Sequence, residues 1–384
     1  MLKFEDSKFP VEKMTQGWYV IGDRLFTRKL EALIYASKTK EEITWDFNKN
    51  IFSHQCTMPR LDISLKEMYH QRALQLREKY DYLILAYSGG ADSDTILHAF
   101  IDNNIPIDEV WCDWPTTLLE IRKYELSYSK ESNNMASEWP LVIKPSLDAL
   151  RISNPEIKIH LSDCFENPTE EDREDTFSVV SIPSNYISTK RFRYIQEYVY
   201  TLPRNESAAV IYGIDKCIPY RLGNEYGFVF SDSSVFTKSD EIKGKRHNIE
   251  SFFWTPNFPS IVVQQAHRVW DYLKLNPVFM EERFKTQKTY WMDREKSFDK
   301  VIKQICYPDW DMSKHQVDKS RHVYNMQFIN HLLPYTQEHF HQSWDSALRN
   351  IFDCLDPSIA FQNGQNLIED TKVFYNFHRI GYLS

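Results

Sequence analysis

Apolar residues recur at steps of three and four from Ser64 to Tyr80: Leu65, Tyr69, Ala73, Leu76 and Tyr80. The spacing predicts a helix with one apolar stripe. Ser64 and Glu67 have the spacing of a capping box at its start. Lys66, Arg72, Arg77, Glu78 and Lys79 lie between the stripe positions and read as the solvent-facing side. The period then gives way to an unbroken apolar run, Tyr82-Leu83-Ile84-Leu85-Ala86-Tyr87, as expected of a strand buried on both faces of a parallel sheet. A helix over Thr95 to Asn103 follows, with Ile96, Leu97, Phe100 and Ile101 inward. Asn103-Asn104 reads as its C-cap, and Pro106 prevents continuation. Glu109 to Cys112, ending at Asp113, reads as a second strand. Leu118 to about Trp139 reads as mostly helical, and Leu141-Val142-Ile143 as a third strand. This β-α-β-α-β order predicts a doubly wound, mostly parallel α/β sheet with right-handed crossovers.

Beyond it the pattern is less regular. Residues 153–185 read as irregular and acidic, and helix returns near Lys190–Tyr200. Ala208 to Tyr212 reads as a fourth strand and Phe228-Val229-Phe230 as a fifth, ending at Ser231-Asp232. The polar stretch 233–250 reads as a loop. Pro259 opens a helix with Ile261, Val262, Gln265, Val269 and Leu273 along one side, and the remainder reads as mostly helical and aromatic. Before Ser64, WYVIGDRLF reads as a hairpin around Gly22-Asp23, ALIYAS as a short helix and EEITWDF as a strand. The expected organisation is an N-terminal strand and turn segment, 1–62, an α/β domain, 63–275, and a helical C-terminal region, 276–384.

Composition and charge narrow the function classes. A formal net charge of −8 argues against a general nucleic-acid coat. Lys243, Lys245 and Arg246 form the densest basic cluster, which reads as a solvated loop. Six cysteines occur with no CxxC spacing, so neither a zinc ribbon nor an iron–sulfur cluster is supported. No apolar run is long enough to span a bilayer and the start has no apolar leader, so a cytoplasmic protein with reduced thiols is expected. Glu338, His339 and His341 resemble metal-ligand spacing, but residues two apart on a helix point away from each other. Asp309 and Asp311 in DWDM read as a helix cap or a cation site.

One segment carries chemistry: Ser88-Gly89-Gly90-Ala91-Asp92-Ser93. It ends a buried strand and opens a helix, where ligands of open α/β sheets bind. The first helical turn has N–H groups without internal partners and the positive end of the dipole. Two glycines let the backbone approach an anion closely, and Ser88 and Ser93 add hydroxyls, so the segment reads as a phosphate cradle. Asp92 is informative because a carboxylate beside phosphate is repelled unless a cation lies between. Its best use is to hold Mg²⁺ bridging phosphate oxygens. The plain alternative is a Gly-Gly turn with Ser or Asp as N-cap. Direct abutment of strand, loop and helix, in a chain with only 10 glycines, favours the phosphate site. The segment is neither a Walker A loop nor a dinucleotide fingerprint, since GK[ST] and GxGxxG are both absent.

Tyr87 to Ser93 resembles the PP-loop, SGGxDS, of the N-type ATP pyrophosphatases and phosphoadenylyl-sulfate reductases. The wider arrangement, KEMYHQRALQLREKYDYLILAYSGGADS, GIDKC and FFWTPNFPSIVVQQAHRV, is similar to uncharacterised PP-loop proteins of large tailed bacteriophages. The resemblance implies a Rossmann-like, HUP-type domain that takes ATP and Mg²⁺. In it Ser88, Gly89, Gly90, Ala91 and Ser93 hold the β,γ-phosphates and Asp92 the metal. The end of the second strand, with Asp113, lies near adenine and ribose, although Asp113 is equally a solvated turn residue. Gly213-Ile214-Asp215-Lys216 is the second site candidate. There Gly213 allows close approach and Lys216 meets charge building on the α-phosphate, or the segment is a strand-end turn with an exposed Lys. Arg221 is a weaker companion.

The implied reaction is adenylation: an acceptor oxygen attacks the α-phosphate, pyrophosphate leaves, and an amine, ammonia or sulfide displaces AMP. A catalytically silent nucleotide-binding module with a regulatory or assembly role is the rival class. A reductase or sulfur transferase would need a catalytic cysteine, for which Cys217, beside Lys216, is the candidate. The reductases' C-terminal Cys-Gly motif has no counterpart around Cys306 or Cys354.

Overall fold

The computed structural model describes residues 3–4, 17–26, 29–113, 139–162, 198, 207–213, 216–223, 225–232, 247–285, 296–311, 357–362, 365–366 and 372–377. The N-terminal segment forms a four-stranded sheet of β1 (Lys3–Phe4), β2 (Trp18–Ile21), β3 (Arg24–Phe26) and β4 (Thr44–Asp46), in the order β1-β3-β2-β4. Ile21 pairs with Arg24 across Gly22-Asp23, the hairpin expected from WYVIGDRLF. Helix α1 (Lys29–Thr39) lies between β3 and β4 in sequence, and α2 (Lys49–Gln55) follows β4.

α3 (Leu65–Lys79) starts where its cap predicts: the Ser64 side chain accepts the Glu67 N–H at 3.0 Å. Leu65, Tyr69, Ala73, Leu76 and Tyr80 are all buried. Arg72, expected on the solvent side, is only 1% exposed and reaches Glu250 at 2.8 Å. Its step from Met68 and Leu76 places it on the flank of the stripe, where a charge is tolerated only because a carboxylate meets it.

The apolar run forms β5 (Tyr82–Ala86), and α4 (Ala91–Ile101) follows it directly, with β6 (Glu109–Asp113) next. β5 is the central strand of a five-stranded parallel sheet in the order β11-β8-β5-β6-β7. Its other members are β7 (Lys158–Ser162), β8 (Ala208–Tyr212) and β11 (His247–Ser251). Leu83 and Leu85 face the large core shared with α3, α4 and α6 (Ser260–Leu275), while Ile84, Trp111, Val210 and Tyr212 pack on the opposite face. Flanking helices and a parallel sheet make this an α/β fold. The chain runs outward from β5 through β6 to β7, then returns to β8 on the other side of β5. The direction of winding therefore reverses between β5 and β8, the place where the C-terminal edge of such a sheet opens.

Three strand expectations are corrected. Leu141-Val142-Ile143 is not a strand: Trp139–Ile143 is a π-helical turn leading into α5 (Lys144–Ser153). A short apolar triplet has no period that distinguishes the two. The third strand is β7, inside the stretch read as irregular. It is an edge strand, with Lys158 and Leu161 exposed, so it lacks the apolar run of a central strand. Phe228 to Phe230 lies in a different, antiparallel sheet formed by β9 (Ile218–Leu222), β10 (Glu225–Ser231) and β14 (Lys372–Asn376). The fifth parallel strand is β11, in the stretch read as a loop.

Among the described residues the C-terminal third holds both helices and short strands. It contains α7 (Pro277–Lys285), α8 (Lys296–Cys306) and α9 (Pro357–Ala360). A two-residue pair, β12 (Phe361–Gln362) and β13 (Gln365–Asn366), precedes β14. β14 packs against the N-terminal segment: Tyr375 Oη donates to Phe47 O at 2.5 Å. Tyr19, Phe47 and Phe52 share one core with Phe230, Trp254 and Tyr375. Among the described residues no helix is long and apolar enough to cross a membrane. The helix expected over 118–138, the basic cluster Lys243, Lys245 and Arg246, and Glu338, His339 and His341 lie outside the described residues. So do residues 190–200 apart from Tyr198.

Candidate functional site at the end of the central strand

The chain turns from β5 into α4 in four residues, Tyr87 to Gly90. Tyr87 N–H still bonds Trp111 O at 2.8 Å, as in the sheet. Gly89 then takes a φ of +70°, a left-handed value that side chains other than glycine rarely adopt. A Cβ there would lie 2.6 Å from Ile143 Cγ1, so the loop is packed from behind by the helical turn that precedes α5. Gly90 is the N-cap of α4 and supplies no side-chain hydrogen bond to the helix. The first backbone bond is Asp94 N–H to Gly90 O at 3.0 Å. The Ala91 N–H therefore has no acceptor within the helix.

Ser93 shapes this loop internally. Its buried Oγ accepts Ser88 N–H at 3.2 Å, donates to Gly90 O at 3.2 Å and lies 3.3 Å from Ser88 Oγ. Ser88 is exposed, Gly90 and Asp92 are half-buried, and Gly89 and Ser93 are buried. The rim of the loop thus reaches solvent while its base is fixed. Asp94, in the same helical turn, serves another purpose. Tyr87 Oη donates to Asp94 Oδ1 at 2.8 Å, and burial followed by the Asp94 charge pushes the Tyr87 phenol well up. Tyr87 therefore stays a donor, and Asp94 is tied to the strand.

The structure brings Gly213 to Asp92. Gly213 directly follows β8, and a Cβ on it would meet Asp92 Cβ at 3.2 Å. Lys216 is not the exposed lysine of a plain turn: it is 7% exposed. Its charge and that of Asp92 both act on the buried Cys306 thiol, which burial and then Cys217 push well up. Ile214 and Asp215 lie outside the described residues. Arg221 stands apart, engaged with Glu281 at 3.1 Å.

Tyr307 is the residue that sequence reading missed. It follows α8 directly, is fully buried, and donates its hydroxyl to Asp92 Oδ1. No local pattern announced it, since it lies 215 positions from its partner. Asp113 ends β6 as a half-buried residue rather than a solvated turn. Its Oδ1 accepts Ser162 Oγ at 2.9 Å, and Ser162 in turn accepts Trp111 Nε1 at 2.9 Å. Asp309 pairs with Lys66 at 3.2 Å and Asp311 is exposed. Among the described residues no group of three or more His, Cys, Asp or Glu side chains is arranged to hold a metal ion.

Taken together, the C-terminal ends of β5 and β8 present open helix N–H groups, one carboxylate and one buried cation. That set suits a polyanion accompanied by a metal ion. No family model matches the chain, and neither a curated protein nor a solved structure matches it.

Proposed function

We propose that the Ser88–Ser93 loop grips the triphosphate of ATP, and that the protein cleaves ATP between the α- and β-phosphates to adenylate an acceptor. The observation that carries this reading is the meeting of an uncapped helix start, Asp92 and Gly213 where the winding of the parallel sheet reverses, with buried Lys216 three residues beyond Gly213. The strand order agrees with a Rossmann-like, HUP-type doubly wound domain and with the PP-loop resemblance of Tyr87 to Ser93.

Each residue has a physical task. The N–H groups at the start of α4 and the Ser88 hydroxyl bind the phosphate oxygens, helped by the helix dipole. Asp92 alone among them is anionic, so it fits the site only with a cation between itself and phosphate. A single protein carboxylate is a common Mg²⁺ holding, with phosphate and water completing the shell. Mg²⁺ held by Asp92 would supply charge neutralisation to the departing pyrophosphate. Lys216, desolvated, faces charge that builds on the α-phosphate as the acceptor oxygen attacks. In this reading Asp113, at the next strand end, meets the nucleoside. A second nucleophile, an amine, ammonia or sulfide, then displaces AMP. Sulfur chemistry through Cys217 has little support, because the thiol is fully buried in the core.

The test is product analysis. Mg-ATP with a panel of carboxylate, hydroxyl and carbonyl acceptors, and an amine, ammonia or sulfide to displace AMP, should yield AMP and pyrophosphate in equal amounts, and Asp92→Ala should abolish both. Binding of ATP with no AMP from any acceptor would favour the silent module. No binding of ATP would exclude both.

A further inference from the structure

Asp92 is held from behind by a segment far away in the chain. Tyr307 donates to Asp92 Oδ1, and Tyr307 itself has little freedom. Its N–H bonds Lys303 O at 2.7 Å and its carbonyl accepts Trp310 N–H at 3.0 Å. Its ring lies 5.5 Å from that of Phe253. The preceding residue, Cys306, offers its carbonyl to Tyr69 Oη. Tyr69 Oη also accepts Gln265 Nε2 at 2.8 Å, and Gln265 Oε1 accepts Cys217 N–H at 3.0 Å. One buried chain of hydrogen bonds therefore runs from the end of α8, through α3 and α6, to the loop that bears Lys216. The two charged residues of the site are fixed to the same internal frame.

We propose that Tyr307 is a positioning residue for Asp92, holding one carboxylate oxygen so that the group is presented to a divalent cation in one orientation. This inference rests on the reading of Asp92 as the cation ligand. A carboxylate on the first turn of a helix otherwise samples several rotamers, and ordering it on binding weakens affinity. Partners that hydrogen-bond a metal ligand from behind act by removing that freedom, and their loss costs about 10–100-fold in metal affinity. The role of α8 is then to deliver Tyr307 to the site.

The experiment is calorimetric titration of ATP into the full-length chain at a series of Mg²⁺ concentrations and in chelator. Wild type, Tyr307→Phe and Asp92→Asn are compared, with thermal melts of each. Tyr307→Phe keeps the ring and removes only the hydroxyl. It should bind ATP in chelator as wild type does, yet need about 10–100-fold more Mg²⁺ for half-saturation. Asp92→Asn should lose the Mg²⁺ dependence. An unchanged Mg²⁺ requirement in Tyr307→Phe, with wild type dependent on the metal and Asp92→Asn not, overturns the role of Tyr307 and leaves the reading of Asp92 standing. Mg²⁺-independent binding by wild type overturns both. Should Tyr307→Phe not fold, Tyr69→Phe carries the test: it releases the Cys306 carbonyl and should raise the Mg²⁺ requirement in the same direction, and no rise overturns the proposal.

Discussion

A methyl group on Gly213 would lie 3.2 Å from Asp92 Cβ and 3.1 Å from the Asp92 carbonyl carbon. The end of β8 and the start of α4 are in contact through a glycine that has no room to grow. Ile96 Cδ1, at 2.9 Å, can swing aside, but the Asp92 backbone cannot move without moving the helix start. Gly213→Ala should therefore cost about 1–3 kcal/mol by overpacking and weaken Mg-ATP binding as well. Gly223→Ala is the control: a Cβ there meets nothing, although the φ of +60° adds strain of about 1–2 kcal/mol. Melting curves and ATP titrations on both should show a stability loss in each and a binding loss in Gly213→Ala alone.

Gly89 combines both costs, a φ of +70° and a Cβ position 2.6 Å from Ile143 Cγ1. Gly89→Ala should lose about 1–2 kcal/mol from the left-handed backbone and about as much again from the clash. Ile143→Ala alone should lose about 2–5 kcal/mol as a buried truncation. In the double variant the clash is relieved and the backbone strain is not. Denaturant unfolding of the two singles and the double should show a coupling of about 1 kcal/mol, the double being less damaged than the sum. Strict additivity would mean that the loop does not press on Ile143.

What the sequence revealed follows from how locally each feature is encoded. The α3 stripe, the β5 run and the loop between β5 and α4 are contiguous, and period, cap and glycine pair all agree there. β7 and β11 escape such a reading because edge strands such as KIHLS and HNIES need no apolar run. Phe228 to Phe230 points to the wrong sheet because apolarity marks a buried strand without naming its partner. Lys216 is legible only as a cation near a strand end, and its burial comes from tertiary packing. Arg72 and Tyr307 are illegible because their meaning lies in Glu250 and Asp92, 178 and 215 positions away.

The Arg72–Glu250 pair gives a stability prediction independent of the site. Both side chains are buried, at 1% and 7% exposure, and Glu250 also accepts Lys79 at 2.7 Å and Tyr80 Oη at 2.5 Å. Burial pushes the Glu250 carboxyl up, but Arg72, Lys79 and Tyr80 outweigh it and hold the group below its usual range. Glu250→Gln leaves the guanidinium buried without its counter-charge and should cost about 3–5 kcal/mol. Asp271→Asn, which breaks the exposed pair with Arg60, should cost under about 1 kcal/mol. Urea unfolding of both at neutral pH checks the contrast.

His267 sets a pH dependence whose sign can be worked out. Its side chain is fully buried on α6, with Nε2 3.1 Å from Met58 O and the ring 4.6 Å from that of Phe377. Burial lowers its pKa from 6.5 to about 4; the Met58 carbonyl and Asp271 pull the other way, while Arg268 and Arg60 add to the lowering. A lowered imidazole favours the neutral form in the folded chain, so below pH 6.5 the unfolded chain binds the proton first. The contribution is complete above pH 6.5 and is lost as pH falls toward 4. Each tenfold difference in proton affinity between the folded and unfolded chain is worth about 1.4 kcal/mol, so the full loss approaches roughly 3 kcal/mol. His267→Gln should be less stable than wild type at pH 7 but should lose less on acidification. Unfolding free energies measured at pH 7 and pH 4.5 should therefore converge between the two proteins. A constant gap across that interval would show that His267 takes up its proton equally in both states, and that another group drives the acid response.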